Sequence, residues 1–203
     1  MAMQEREMAS RKEKLPAIEK FSPEASSFLK SRGFVIYDIP NVPVGDLIDK
    51  IFFLQLPKEH DAILNQRPRN SQIAIDPQEF LLQRSDQITL ARAKELAGTY
   101  STALSARVDG VRANLGRAAE IIALAYAYQQ ETGERFLGKE SGLKYTRTSD
   151  GYVVGHNTGL FGLSVDKWSN DHGYSRVHAG VIVVPEKVMP LYPYENNSIP
   201  FSK

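Results

Sequence analysis

The chain contains no cysteine, which excludes disulfide frameworks, thiolate zinc sites and cysteine nucleophiles together. It also lacks an excess of charge of either sign: 25 basic residues stand against 24 acidic ones, a formal net charge of +1. A dedicated nucleic-acid binder draws most of its affinity from phosphate contacts and shows a basic excess or a basic stripe. Here the densest basic group, Arg11, Lys12 and Lys14, is interleaved with Glu5, Glu7 and Glu13, so nucleic acid is not expected as a partner. Long apolar runs are missing as well. The first 21 residues hold no apolar run of signal-peptide length. The most apolar helical run, Ile121 to Tyr128, falls far short of the roughly 20 residues that span a bilayer. These absences predict a soluble, cytoplasmic protein with no membrane partner.

What is present is ordinary globular composition, 42% hydrophobic and 24% charged over 203 residues. A chain of that size builds a core without staples. No internal repeat, low-complexity tract or linker divides it. The expected organisation is a polar N-terminal tail or arm over residues 1–14 and one α+β domain over 15–203. Within that domain, residues 86–132 read as helical, 143–185 as a sheet, and 189–203 as an extended tail, a strap over the surface. Ser22-Pro23-Glu24 reads as a helix start, with Ser22 as N-cap and Pro23 at the first helical position. That helix carries Ala25, Phe28 and Leu29 and stops near Gly33. Phe34 to Tyr37 follows as a strand, then a helix over Val44 to Phe53 with Leu47, Ile48, Ile51 and Phe52 inward. Gln72 to Ile75 reads as a second strand, paired with the first through a parallel crossover, a short βαβ-like start. Asp86 to Val108 carries Ala93, Leu96, Ala97, Tyr100, Leu104 and Val108 at helical spacing. A further helix runs from Asn114 to Thr132 and ends at Gly133. The two form a central pair, or one kinked helix, on which a sheet packs. Helices first and strands last predict α+β architecture.

The C-terminal sheet, of about four antiparallel strands, holds three of the four histidines and the only tryptophan. Asp150-Gly151 lies between strand-like runs and favours a two-residue type I′ turn. That loop sets Ser149 opposite Tyr152, Arg147 opposite Val154 and Tyr145 opposite His156. One face then holds Tyr145, Arg147, Tyr152, Val154 and His156, and the other Thr146, Thr148, Val153 and Gly155. Asn157-Thr158-Gly159 turns the chain into a strand from Leu160 to Trp168, and the last strand runs from Tyr174 to Val184. By parity, Ser164, Asp166, Trp168, Tyr174, Arg176 and His178 share a face, with Asp171 and His172 at its rim. Aromatics, a guanidinium and imidazoles gathered so can hold a polar or anionic small molecule; the competing reading is the solvent face of a half-covered sheet. The candidate ligand-binding set is Arg147, Asp166, Trp168, Asp171, His172, Tyr174, Arg176 and His178.

Sharper chemistries fail on spacing. His156, Asp171, His172 and His178 are ligand types, yet no H-x-H or H-E-x-x-H spacing occurs, so no metal is expected. His156 reads as a satisfied buried histidine and His60 as surface. Gly162-Leu-Ser164 lacks the second glycine of a nucleophile elbow, and a Ser164/His178/Asp166 triad has only co-occurrence behind it. Asp166 and Asp171 are the sheet's only candidates for a carboxylate pair. Gly110 to Gly116 lacks the lysine and hydroxyl of a phosphate loop, and Leu160-Phe-Gly-Leu is too poor in glycine for a dinucleotide fingerprint. No cofactor is expected. The leading expectation is a binding domain for a small molecule or a protein partner that uses the C-terminal sheet. Its rivals are a metal-independent hydrolase or transferase with His172 or His178 as general base, and a structural homo-oligomer.

Overall fold

A computed structural model describes residues 20–51, 56, 61–137, 144–156 and 162–186. The N-terminal tail, the C-terminal strap, His60, the turn over 157–159 and the side chain of His156 lie outside what it describes.

Helix α1, Pro23–Ser31, begins as its sequence directs: the Ser22 hydroxyl accepts from the Ala25 amide at 3.1 Å, with proline in the first turn. Strand β1, Val35–Asp38, follows the left-handed Gly33. The next helix is a 3-10 turn over Val44–Lys50 instead of an α-helix to Phe53. Its buried residues, Val44 and Leu47, lie three apart, the spacing a 3-10 helix stacks on one side. After the short helix α2, Asp61–Leu64, strand β2, Gln72–Ile75, pairs with β1 antiparallel, Val35 opposite Ile75 and Asp38 opposite Gln72. The parallel crossover is thereby corrected. Among the described residues, no long helix lies between the two strands to carry the chain across the sheet.

Helix α3, Leu90–Ser105, is capped by Thr89, whose hydroxyl accepts from the Arg92 amide at 3.3 Å. Of its expected inward face, Ala93, Ala97 and Leu104 are buried, and Leu96, Tyr100 and Val108 half-buried. It does not lead into a second helix. Strand β3, Val111–Leu115, intervenes, so helix α4 starts at Ala118 and runs to Thr132, closed by the left-handed Gly133. The central helical pair is thus a helix, a strand and a helix. Nearly every side chain of α4 from Ala118 to Ala127 is buried, as expected of a helix apolar on all sides.

The C-terminal strands are β4 (Tyr145–Arg147), β5 (Val153–His156), β6 (Leu163–Asp166), β7 (Val177–Ala179) and β8 (Val181–Pro185). They serve two sheets. One has the order β1-β2-β8-β3 with antiparallel neighbours throughout; the other has the order β6-β5-β4-β7, with β4 and β7 parallel. The expected strand from Tyr174 to Val184 therefore breaks at Gly180. The Gly180 amide donates to the Thr146 hydroxyl at 2.8 Å, and a Cβ there would stand 2.2 Å from that oxygen and 2.8 Å from the Phe80 ring. Only glycine permits the close approach that passes the chain from one sheet to the other.

The layers follow from which face of the first sheet each side chain takes. Ala74, Ala113, Val181 and Val183 pack against α1 and α3. Ile73, Ile75, Ile182 and Val184 pack against α4, which also meets Val154, Leu163 and Val165 of the second sheet. Helix α4 is thus the shared core of both sheets. Each of its fully buried Ile121, Ile122 and Leu124 side chains contributes roughly 1.5–3 kcal/mol by leaving water.

Candidate functional site

The β4–β5 hairpin decides which side chains meet, and its register differs by one residue from the expected one. Thr148 and Tyr152 close the loop: the Thr148 amide donates to the Tyr152 carbonyl at 2.9 Å, and the Gly151 amide donates to the Thr148 carbonyl at 3.1 Å. Gly151 has φ +86°, so the connection is a three-residue loop, a tight turn followed by a left-handed glycine. Tyr145 then lies opposite Gly155, Thr146 opposite Val154 and Arg147 opposite Val153. What selects this loop is tertiary. The Asp150 carboxylate accepts from the Ala118 amide at 3.1 Å, capping α4, and the Ser149 amide donates to the Gly116 carbonyl at 2.9 Å. The turn is seated on the N-terminus of the core helix, where a carboxylate is favoured.

Arg147, expected on an open binding face, is 1% exposed. Its Nε donates to the Ile88 carbonyl at 3.0 Å, Nη1 to Ser169 at 3.2 Å and Nη2 to His172. Its guanidinium also lies 5.9 Å from the centre of the Tyr174 ring, within cation–π reach. Burial pushes its pKa below the usual arginine range, with Tyr174 acting the other way, yet a guanidinium keeps its proton in proteins. It is therefore a buried cation held by carbonyl dipoles. It ties β4 to the segment before α3 and to the 167–176 loop, which is also fastened by the Leu90 amide on the Asn170 carbonyl and the Gln87 amide on the Tyr174 carbonyl.

On that loop the rings form a series. Tyr145 and Trp168 have centroids 5.1 Å apart, Trp168 and Tyr174 4.9 Å, and Tyr174 and His172 4.7 Å. The series runs from buried Tyr145 through half-buried Trp168 and Tyr174 to exposed His172, with Asp171 and Arg176 exposed beside it. Asp166 is half-buried and shares the Arg147 face, in the row Asp166–Val153–Arg147. His178 does not join them. It pairs with Thr146 on the opposite face, because β7 runs parallel to β4 and does not form a hairpin with β6. Its imidazole is half-buried, and burial lowers its pKa, with Asp86 opposing and Lys144 reinforcing the shift. Ser164 lies opposite Gly155 on the Arg147 face and donates to the Gly155 carbonyl at 3.5 Å. Ser164 and His178 thus sit on opposite sides of the sheet, which breaks the drawn triad.

A constellation the sequence did not single out lies at the head of the second sheet. A cavity of about 210 Å³ opens between the end of β2, the C-terminal end of α4 and Lys144. Phe80, Tyr128 and Phe136 form its aromatic wall, with Phe80–Phe136 centroids 4.9 Å apart and Tyr128–Phe136 5.5 Å. Leu81 and Leu137 extend it, and Arg135 and Lys144 are the charged groups among its described lining. The Tyr128 hydroxyl lies 3.4 Å from Glu134. Leu137 has φ +62°, a conformation that costs a branched L-residue roughly 1–2 kcal/mol. Strain of that kind gathers where a side chain must be held in one place. The residues come from two distant parts of the chain, 75–81 and 128–144, and none carries a motif.

Among the described residues, no helix is long and apolar enough to cross a membrane, and no three His, Cys, Asp or Glu side chains are grouped to hold a metal ion. Neither the protein-family models, nor the curated proteins, nor the solved structures compared with this chain give a match.

Proposed function

We propose that this chain is a small-molecule-binding domain and that the cavity walled by Phe80, Tyr128 and Phe136 is its site. The observation that carries the proposal is the lining itself: the Phe136 ring against both Phe80 and Tyr128, with Arg135 and Lys144 beside them. Ligand sites are mostly apolar concavities with a few placed polar groups, and a guanidinium or ammonium at an apolar wall selects an anionic head on an apolar body. The ligand class is a small aromatic or branched aliphatic carboxylate. At about 210 Å³ the cavity lies below the usual range for drug-sized ligands, which keeps the ligand small. Titration calorimetry with phenylacetate against phenylacetamide tests the charge requirement on nearly one shape. The acid should bind with a Kd below about 1 mM and the amide at least about tenfold more weakly. Arg135→Gln and Lys144→Gln should each remove most of that difference. Equal binding of acid and amide, or no heat with either, would overturn the proposal.

A second reading, recognition of a protein partner, is favoured by the 167–176 loop. There Trp168, Tyr174 and His172 meet edge to face and the backbone is held from beneath by Arg147. Rigid aromatic anchors beside an arginine are the usual composition of binding hot spots, and a loop fixed in advance loses less freedom on association.

A further inference from the structure

A second cavity, on the other side of the first sheet, has different chemistry. It occupies about 290 Å³ between the end of α1, the turn after β2 and the C-terminal half of α3. Its apolar part is Phe28, Phe34 and Leu104, and its polar part is Arg32, Arg107, Asp76, Glu79 and Tyr100. All four charges act on the Tyr100 phenol. Burial raises its pKa, Asp76 and Glu79 add to the rise, and Arg107 and Arg32 oppose it. Opposite charges that line one cleft commonly pair, yet these four form no ion pair with one another. The ion pairs among the described residues are Lys20–Asp38, Arg92–Glu95 and Arg112–Glu186. The Asp76 carboxylate is steadied by the Gln78 amide at 2.9 Å and the Glu79 amide at 3.3 Å, both on the same oxygen. Its second oxygen is left for another donor.

From this arrangement we infer that the cleft binds a free α-amino acid with an apolar side chain. Arg32 and Arg107 take the carboxylate, Asp76 and Glu79 the ammonium, and Phe28, Phe34 and Leu104 the side chain. Two cations against two anions leave the lining formally neutral. A simple carboxylate is repelled by Asp76 and Glu79, and a simple amine by the arginines, so only a ligand carrying both charges gains from both sides. Planar guanidiniums suit a carboxylate, and an α-amino acid carries its ammonium and carboxylate at one end and its apolar side chain at the other, as the lining divides.

The inference does not rest on the carboxylate site proposed above, and its test separates the two. Titrate the full chain carrying Arg135→Gln, which removes most of the acid preference of the first cavity, with L-leucine and L-phenylalanine, and with 4-methylpentanoate and 3-methylbutylamine, which are leucine without its ammonium and without its carboxylate. At least one of the two amino acids should bind with a Kd below about 1 mM, and each truncated analogue at least about tenfold more weakly than leucine. Arg107→Gln and Glu79→Gln, both changes of exposed side chains, should each weaken amino-acid binding about tenfold or more. Arg135→Gln, in the other cavity, should leave it unchanged. Absence of binding by both amino acids at about 10 mM, equal binding by the truncated analogues, or unaltered binding by both cleft variants would overturn the inference.

Discussion

Arg147→Met is the most searching perturbation of this fold, because it removes a buried cation whose hydrogen bonds all run to carbonyls of other segments. Methionine keeps the apolar stem and deletes the guanidinium. Hydrogen bonds to a charged group contribute about 1.5–3 kcal/mol each, so the three together are worth ~4.5–9 kcal/mol before costs. Against this stands the effective penalty of holding one ion out of water, several kcal/mol. The Ser169 and His172 residues are exposed, so their carbonyls recover water once the loop loosens, whereas half-buried Ile88 recovers less. The expected net loss is ~2–4 kcal/mol, a large share of the ~5–15 kcal/mol that hold a domain folded. Arg147→Lys should recover only a small part, because one ammonium does not span three separate carbonyls as the planar fork does. Urea unfolding gives the free energy, and amide exchange gives the place. The Gln87 and Leu90 amides, which donate into the 167–176 loop, should exchange faster in both variants. An Arg147→Met protein within ~0.5 kcal/mol of the parent, with those two amides as protected as before, would refute the clamp.

Three further effects are open to the same denaturation measurements. Burial, partly opposed by Asp86 and reinforced by Lys144, holds the His178 pKa below its ordinary value of 6.5, so on acidification the unfolded chain takes up that proton first. Its contribution to stability is therefore present above pH ~6.5 and lost as pH falls through the lower folded value. Urea midpoints between pH ~7.5 and ~5 should fall less steeply for His178→Gln, and identical slopes would contradict the assignment. Gly151→Ala forces a side chain into φ +86° and sets its Cβ 3.1 Å from the Asn170 amide nitrogen, at a cost of ~1–2 kcal/mol. By contrast, Gly98→Ala, exposed within α3 with nothing within 4 Å of the new Cβ, should stabilise by ~0.5–1 kcal/mol. Chemical denaturation reads both, and a loss at position 98 or a gain at 151 would show that the backbone argument is misapplied.

How far the sequence carried can be judged residue by residue. Ser22-Pro23 and Gly133 marked helix ends correctly because capping is a local interaction between a side chain or a left-handed residue and the nearest backbone groups. The α+β class was legible for a similar reason, since the change of period after α4 is visible in a window of a few residues. Strand β3 was not legible. Val111 and Leu115 are four residues apart, which is two strand repeats and also about one helical turn, so they satisfy both periods, and the alternation of buried Val111, Ala113 and Leu115 with exposed Arg112 emerges only once the segment pairs with β8. The stretch around Ile182 and Val184 is apolar on both faces, the pattern of a central strand, and β8 lies between β2 and β3. What remained hidden was that Gly180 changes sheets, which depends on Thr146 and Phe80.

The candidate site failed to assemble for a more instructive reason. Asp150-Gly151 is compatible with a two- or a three-residue loop, and the choice is made by the Ala118 amide and the Gly116 carbonyl, far from the hairpin in the chain. One residue of register exchanges every face on β5 relative to β4. The parallel pairing of β7 with β4 then sends His178 away from Asp166 and Arg147. The deeper error lies in reading polar residues on a strand as a solvent face. Thr146, Arg147 and Thr148 are all buried, yet each is partnered: Thr146 by the Gly180 amide, Arg147 by three carbonyls and Thr148 by the Tyr152 amide. A buried polar group is tolerable when its hydrogen bonds are made; Thr148 closes its own hairpin, while Thr146 and Arg147 join β4 to Gly180, Ile88 and the 167–176 loop. Polarity on this strand marks the points where the second sheet is fastened to the rest of the molecule, which is why its arginine holds a loop from beneath and does not wait for a ligand.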